Sequence, residues 1–399
     1  MARYDVVVVG GGCVGCSVAK HLVERSELAV AILEKEHHLA VHQSGRNSGV
    51  LHPGFNYPPG SLKARFATEG TQRMKAYAEE HDIPLEEFGV VVVAQTPAEQ
   101  SRLENLKVQA DENGVKTEII GENRLQELEP HAEGRAALHA PGAASIDSQQ
   151  YVYSLAKEIR SAGVDLHLGH RVTAVTHTGK GHRIETTGGS FEADFLVNCA
   201  GLYADRIAKQ LGVGDGYQVV PFRGEYYEIV PDRAHLCQTM IYPTPDPDLP
   251  FLGVHFTRRS DGKVIVGPNA VLAFGREAYR NTEVDLSELA QTLTYRGFWR
   301  LMADPKMVKV AWDELNKSYR KGRFVSAAQG LVPSVESDDF RRSYAGIRAQ
   351  LVSADGRLIK DPRFEAGPDS LHVLNAVSPG LTSSLPFGDH LADQVIEAV

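Results

Sequence analysis

The chain has 399 residues, 42% hydrophobic and 23% charged, with a formal net charge of −9. That is enough chain to bury a large core and divide into two domains. The acidic balance argues against a general nucleic-acid binder, and no apolar run reaches the roughly 18–20 residues that span a bilayer.

Tyr4 to Val9 is an apolar, β-branched run that reads as a buried strand, so no signal peptide is expected to precede the fold. Gly10-Gly11-Gly12-Cys13-Val14-Gly15 follows and fits G-x-G-x-x-G. Cys16 to Arg25 reads as a helix, and Leu28 to Leu33 as a second strand ending at Glu34, with Lys35 next to it as a further candidate cofactor contact. Gly10 permits the tight turn, Gly12 lets a pyrophosphate approach the backbone, and Gly15 lets helix and strand pack closely. The helix N-terminus offers free N–H groups and partial positive charge to the anion. Glu34 can accept hydrogen bonds from a ribose. This unit predicts dinucleotide binding. Cys13 and Cys16 sit inside the turn and read as structural. With Cys199 and Cys237 they make too few cysteines for a disulfide scaffold, which suits a reducing, cytoplasmic compartment. Peripheral attachment at the inner face of the cell membrane stays open.

The polar, glycine-rich stretch from Val41 to Gly54 is placed to cover a cofactor at the strand ends. Ser61 to His81 reads as a helix capped by Ser61. Gly89 to Gln95 reads as a strand, and Pro97 to Asn113 as a charged helix stopped at Gly114. Ser148 to Ala162 is a further helix. Strands over 164–168, 172–177, 183–187 and 194–198 follow, joined by tight turns that suggest hairpins. Ala204 to Leu211 is helical. From Tyr217 to Pro268 the texture is β, with strands at 226–230, 251–256 and 263–266 and a proline-rich loop at 243–250. Helices are expected over 286–301 and 305–320, strands over 344–351 and 371–377, and a final helix from Leu381. The predicted class is α/β, α+β overall. A discontinuous Rossmann-like nucleotide domain (1–84, 146–215 and 341–399) would accompany a second domain of mixed sheet and helices (85–145 and 216–340).

Several stretches carry a family likeness. Val6 to Glu36, Ser44-Gly45-Arg46-Asn47-Ser48-Gly49, Asn198-Cys199-Ala200-Gly201 and Ala345-Gly346-Ile347-Arg348 resemble the D-amino-acid-oxidase-type FAD oxidoreductases. A closer resemblance is to the L-2-hydroxyglutarate dehydrogenase/oxidase family. It is carried by residues 42–54, Pro59-Gly60-Ser61-Leu62-Lys63-Ala64, Val220-Pro221-Phe222-Arg223-Gly224, residues 250–256, residues 267–274 and Gly346-Ile347-Arg348-Ala349-Gln350. That family often has His where Arg46 stands. The resemblance implies FAD as cofactor and oxidation of L-2-hydroxyglutarate to 2-oxoglutarate, with the C2 hydride going to flavin N5 and the hydroxyl proton to a base. It implies a dicarboxylate substrate and a quinone or oxygen as acceptor. An amino-acid or other 2-hydroxy-acid oxidase is the alternative, and a non-redox or RNA-modifying flavoprotein the second.

Each substrate carboxylate needs an Arg, a Lys or hydrogen-bond donors. Arg348 is the first candidate, since relatives clamp the α-carboxylate with an Arg in the matching strand. His255, in an apolar strand, and His52, in the covering loop, compete for the base. Tyr242, Arg223 and Asn269 are candidates for the substrate rim, each also readable as structural. Gly380, Leu381, Thr382 and Ser383 open the final helix, whose N-terminus can stabilise negative charge on reduced flavin. Val172, Ala200 and Gly201 complete the expected cofactor contacts.

Overall fold

The computed structural model describes residues 2–246, 252–376 and 378–399. The central strand of an eight-stranded sheet, Ala2–Val9, pairs in parallel with Val30–Leu33 on one side and Gly189–Asn198 on the other. Asp165–His167 extends the sheet beyond Val30–Leu33. The strand Gly189–Asn198 divides its pairing. Its first half is antiparallel to His182–Thr186 and its last residues are parallel to Ser370–Asn375. The hairpins expected between 172 and 198 are present.

Val6, Val8, Val30 and Ile32 point from this sheet into a core shared with the helices Cys13–Arg25, Ser148–Ser161 and Ser384–Ala398. The other sheet face, with Val7, Val9 and Ala31, is equally dry. A sheet covered on both faces explains why its strands read as unbroken apolar runs. Helix Cys13–Arg25 starts three residues earlier than expected, directly at the glycine turn.

A second sheet has nine strands. Its axis is a long antiparallel pair, Tyr217–Ile229 with Phe340–Ser353. Both strands are longer than the sequence suggests, because Pro221, Gly224 and Gly346 interrupt the local β signal without breaking the pairing. The division expected at 341 falls inside this pair, so residues 340–353 are hydrogen-bonded into the second sheet. The helix expected over 286–301 is two helices, Leu286–Thr294 and Arg296–Met302, broken at the extended Tyr295. Close packing explains the break. A Cβ on Gly297 would lie 2.3 Å from Ser353 O, so the second helix must lie directly against the strand end. Strand Glu118–Gly121 and helix Lys321–Gln329 are additional elements. Of the described residues 252–256 in the strand expected at 251–256, only His255 onward is strand, in His255–Arg258. Phe251, Pro247, Pro250 and Val377 lie outside the described residues.

Candidate functional site

A cavity of 870 Å³ runs from the glycine turn of the first sheet to the inner face of the second. That volume lies toward the upper end of small-molecule sites, about 300–1,000 Å³.

At its nucleotide end, Gly10 has φ +106°, and a Cβ there would lie 2.5 Å from Cys199 O. Gly15 does not line the cavity. A Cβ on it would lie 2.0 Å from Gly10 O, so it brings the helix against the turn. Gly12 caps the helix without a side-chain bond, which leaves first-turn N–H groups for an anion. Cys13 N donates to Ser44 Oγ at 3.0 Å, tying the turn to the covering loop. The Glu34 carboxylate is aimed by Gly11 N at 2.8 Å and Glu36 N at 3.0 Å. Val14, Lys35, Val172, Ala200 and Gly201 also line the cavity. Lys35 is engaged by Glu36 and by Glu277, the latter at 2.7 Å. Burial raises the Cys13 and Cys16 thiols, so neither is a ready nucleophile.

The covering loop is self-supporting. Asn47 Nδ2 donates to Gln43 O at 2.9 Å and Ser44 O at 2.8 Å, and Gly49 N donates to Asn47 Oδ1 at 2.8 Å. Arg46 is held by Nε to Val41 O at 2.8 Å and stacks 4.2 Å from the Tyr279 ring centre. Ser44, Arg46, Asn47 and Ser48 line the cavity, whereas Gly45 packs beneath it against Ala40 O. Gly380, Leu381 and Thr382 line the cavity from a turn that precedes helix Ser384–Ala398, so they lie ahead of the helix and do not form its first turn. Thr382 joins the turn to the loop, donating to Val50 O and accepting from His52 N, both at 3.2 Å. Ser383 is buried behind the turn and does not face the cavity.

The far end brings together His255, His52, Tyr242 and Arg348. The Tyr242 ring lies 4.3 Å from that of His255 and 6.4 Å from that of His52. His255 Nδ1 is 2.9 Å from Gly253 O. Burial pushes His255 down to about 4, with Arg348 adding to the effect. Burial pushes His52 down to about 4 as well, helped by His255 and Lys63. Both imidazoles are therefore neutral near pH 7. Arg348 Nη1 donates to Asn269 O at 3.2 Å.

Two rim candidates sit elsewhere. Asn269 is buried outside the cavity, with its amide locked to Glu225 at 2.7 Å. Its carbonyl accepts the hydrogen bond from Arg348. Arg223 is also buried outside the cavity. It is bonded to Ala278 O at 3.2 Å, Arg280 O at 3.3 Å, Glu225 and Asn281. Sequence reasoning misses Lys63, Tyr57 and Tyr226, which line the same end. Lys63 lies within a stretch that carries the family likeness, but a lysine in a first helical turn reads as solvated.

The residues fit FAD. A glycine turn, an aimed Glu34 and a covering loop line one continuous cavity that is also lined by His52, His255 and Arg348. Comparison with known proteins agrees. The model of the FAD dependent oxidoreductase family DAO matches residues 5–394. L-2-hydroxyglutarate dehydrogenase of Indibacter alkaliphilus is 40% identical over 398 residues, covering 99% of each chain. The enzyme of that name from Escherichia coli K12 is 37% identical, covering 98% of this chain and 93% of its own. Among solved structures, FAD-bound L-alpha-glycerophosphate oxidase of Mycoplasma pneumoniae superposes with a TM-score of 0.79 at 23% identity, covering 100% of this chain and 95% of its own. The likeness to that structure is one of fold. The chain belongs to the DAO family of FAD-dependent oxidoreductases, grouping there with the L-2-hydroxyglutarate dehydrogenases, and is an FAD enzyme that oxidises a hydroxy acid.

Proposed function

We propose that this enzyme oxidises L-2-hydroxyglutarate to 2-oxoglutarate, with His255 as the general base. One observation carries the reading: Arg348 and His255 share one end of the cavity, and His255 Nδ1 is committed to Gly253 O. A carbonyl only accepts, so Nδ1 carries the hydrogen and Nε2 keeps its lone pair for the substrate hydroxyl. The His52 ring makes no such bond among the described residues. Arg348 holds the C1 carboxylate through its planar fork and so orients C2. Bound flavin supplies the acceptor, at N5, for the C2 hydride. The shared name of the relatives supports the substrate. In this reading the first sheet serves FAD and the second, including Phe340–Ser353, serves the substrate.

Anaerobic mixing with L-2-hydroxyglutarate, its D form, glycine and D-alanine tests the proposal. Flavin bleaching by the L-hydroxy acid alone is expected. Bleaching by an amino acid instead would move the enzyme to the amine-oxidising branch.

Electrons then pass to a quinone dissolved in a bilayer, with oxygen as the alternative acceptor. No described helix is long and apolar enough to cross a membrane. Helix Pro305–Tyr319, however, turns an apolar stripe outward: Val308, Trp312, Leu315 and Tyr319, at helical spacing, with Trp312 67% exposed. Trp299 on the preceding helix is 57% exposed. Residues 296–323 hold eight basic and three acidic side chains in a chain of net charge −9. An apolar stripe flanked by bases matches an anionic lipid surface on the cytoplasmic side. Salt-sensitive sedimentation with phosphatidylglycerol vesicles, lost in Trp312→Ser, is expected. A concentration-dependent dimer that ignores vesicles would assign the stripe to a second copy.

A further inference from the structure

Lys63 lies in the first turn of helix Leu62–Glu80, after its N-cap Ser61. Its Nζ donates to Lys360 O at 3.2 Å and lies 4.9 Å from the Tyr57 ring centre. Among the described residues no carboxylate comes within 4.0 Å of it, and Asp361 acts only from farther away. This placement is unfavourable twice over. A cation at the positive end of a helix meets a repulsive dipole, and a half-buried ammonium loses hydration without a counter-ion. Burial pushes Lys63 down to about 8, which leaves it charged near neutrality. Such an arrangement is relieved by an incoming anion.

The neighbours say which anion. His52 feels both Lys63 and His255, and His255 feels Arg348. All four line the same cavity, and the rings of His255 and His52 lie 4.3 Å and 6.4 Å from that of Tyr242, so Lys63, Arg348 and two neutral imidazoles meet around one aromatic side chain, with Lys360 lining the cavity beside Lys63. A 2-hydroxy diacid has a carboxylate at each end and the reacting carbon next to one of them. With Arg348 on the carboxylate beside C2, Lys63 is a cation without a carboxylate partner among the described residues that lines the same cavity and can take the other carboxylate. We propose that Lys63 binds the distal carboxylate and is the residue that selects a dicarboxylic over a monocarboxylic 2-hydroxy acid. This rests on the hydroxy-diacid reading of the site.

The test uses the holoenzyme and two unreactive acids that lack the hydroxyl, glutarate and pentanoate. The second has a methyl in place of one carboxylate. Binding is read from perturbation of the flavin absorption band, with no turnover required. Wild type is expected to bind glutarate at least about tenfold more tightly than pentanoate, the scale of one charge-assisted contact. Lys63→Met should reduce that preference below about threefold with FAD retained, and Lys63→Arg should restore most of it. A preference that survives in Lys63→Met, an equal loss for both acids, or loss of FAD from the variant would overturn the assignment. Failure of the underlying activity looks different: glutarate preference intact, but no bleaching by L-2-hydroxyglutarate.

Discussion

Replacing His255 with Asn separates its chemistry from its packing. The ring is 7% exposed, sits 4.3 Å from Tyr242 and holds Gly253 O through Nδ1 at 2.9 Å. An Asn amide can still donate to that carbonyl, and it leaves a smaller void than Ala. It offers no lone pair basic enough to take a hydroxyl proton. Fold and FAD content should therefore hold, while the loss is that of a positioned general base, about 10²–10⁴-fold. At about 1.36 kcal/mol per decade that is roughly 3–5 kcal/mol of barrier. Anaerobic stopped-flow reduction of the bound flavin measures it without interference from the acceptor. His52→Asn should slow reduction far less. If His255→Asn reduces its flavin within about threefold of wild type while His52→Asn is slow, the base is His52. Near-normal reduction in both variants would eliminate a histidine base altogether.

The pH dependence follows from the same residues. The base must be neutral, and burial pushes His255 down to about 4. In wild type, kcat/KM should rise with pH through about 4 and be level by about pH 6; an acid limb near 6.5 would contradict the burial argument. Lys63, facing Lys360, Asp361, His52 and Tyr57, is held down to about 8, so affinity for glutarate should fall above that pH while affinity for pentanoate does not. Gly15→Ala places a Cβ 2.0 Å from Gly10 O and must displace the cavity-lining glycine turn, so the variant should purify with substoichiometric FAD by its absorbance ratio. Asp205 and Arg276 form a buried two-pronged pair, with Nη2 2.9 Å from Oδ2 and both residues at most 3% exposed. Arg276→Met leaves a buried carboxylate uncompensated and should lower unfolding stability by about 3–5 kcal/mol in a denaturant titration.

The nucleotide end was legible because its information is local. Strand, glycine turn, helix and Glu34 occupy one continuous stretch, and Gly10 and Gly15 answer contacts within it or with the neighbouring strand end at Cys199. The substrate end depends on distant pairings. Arg348 faces Phe222 across a strand pair more than a hundred residues apart in sequence, and Asn269 is turned from the cavity by Glu225. No window of sequence holds that information, so Arg223 and Asn269 both read as rim residues, although neither lines the cavity. Thr382 lines the cavity from a turn ahead of the final helix, not from the helix N-terminus that the sequence suggests. Lys63 shows the opposite failure, because its own helix is easily predicted and only the cavity above it gives the side chain a purpose.

The central claim is that a 2-hydroxy diacid loses its C2 hydrogen in this cavity. Its most direct measurement is anaerobic flavin reduction with L-2-hydroxyglutarate and with the C2-deuterated form, followed by analysis of the product. One 2-oxoglutarate per flavin reduced, and slower bleaching for the deuterated acid, are expected. An oxidised flavin unchanged by L-2-hydroxyglutarate, in protein that binds glutarate, would contradict the claim.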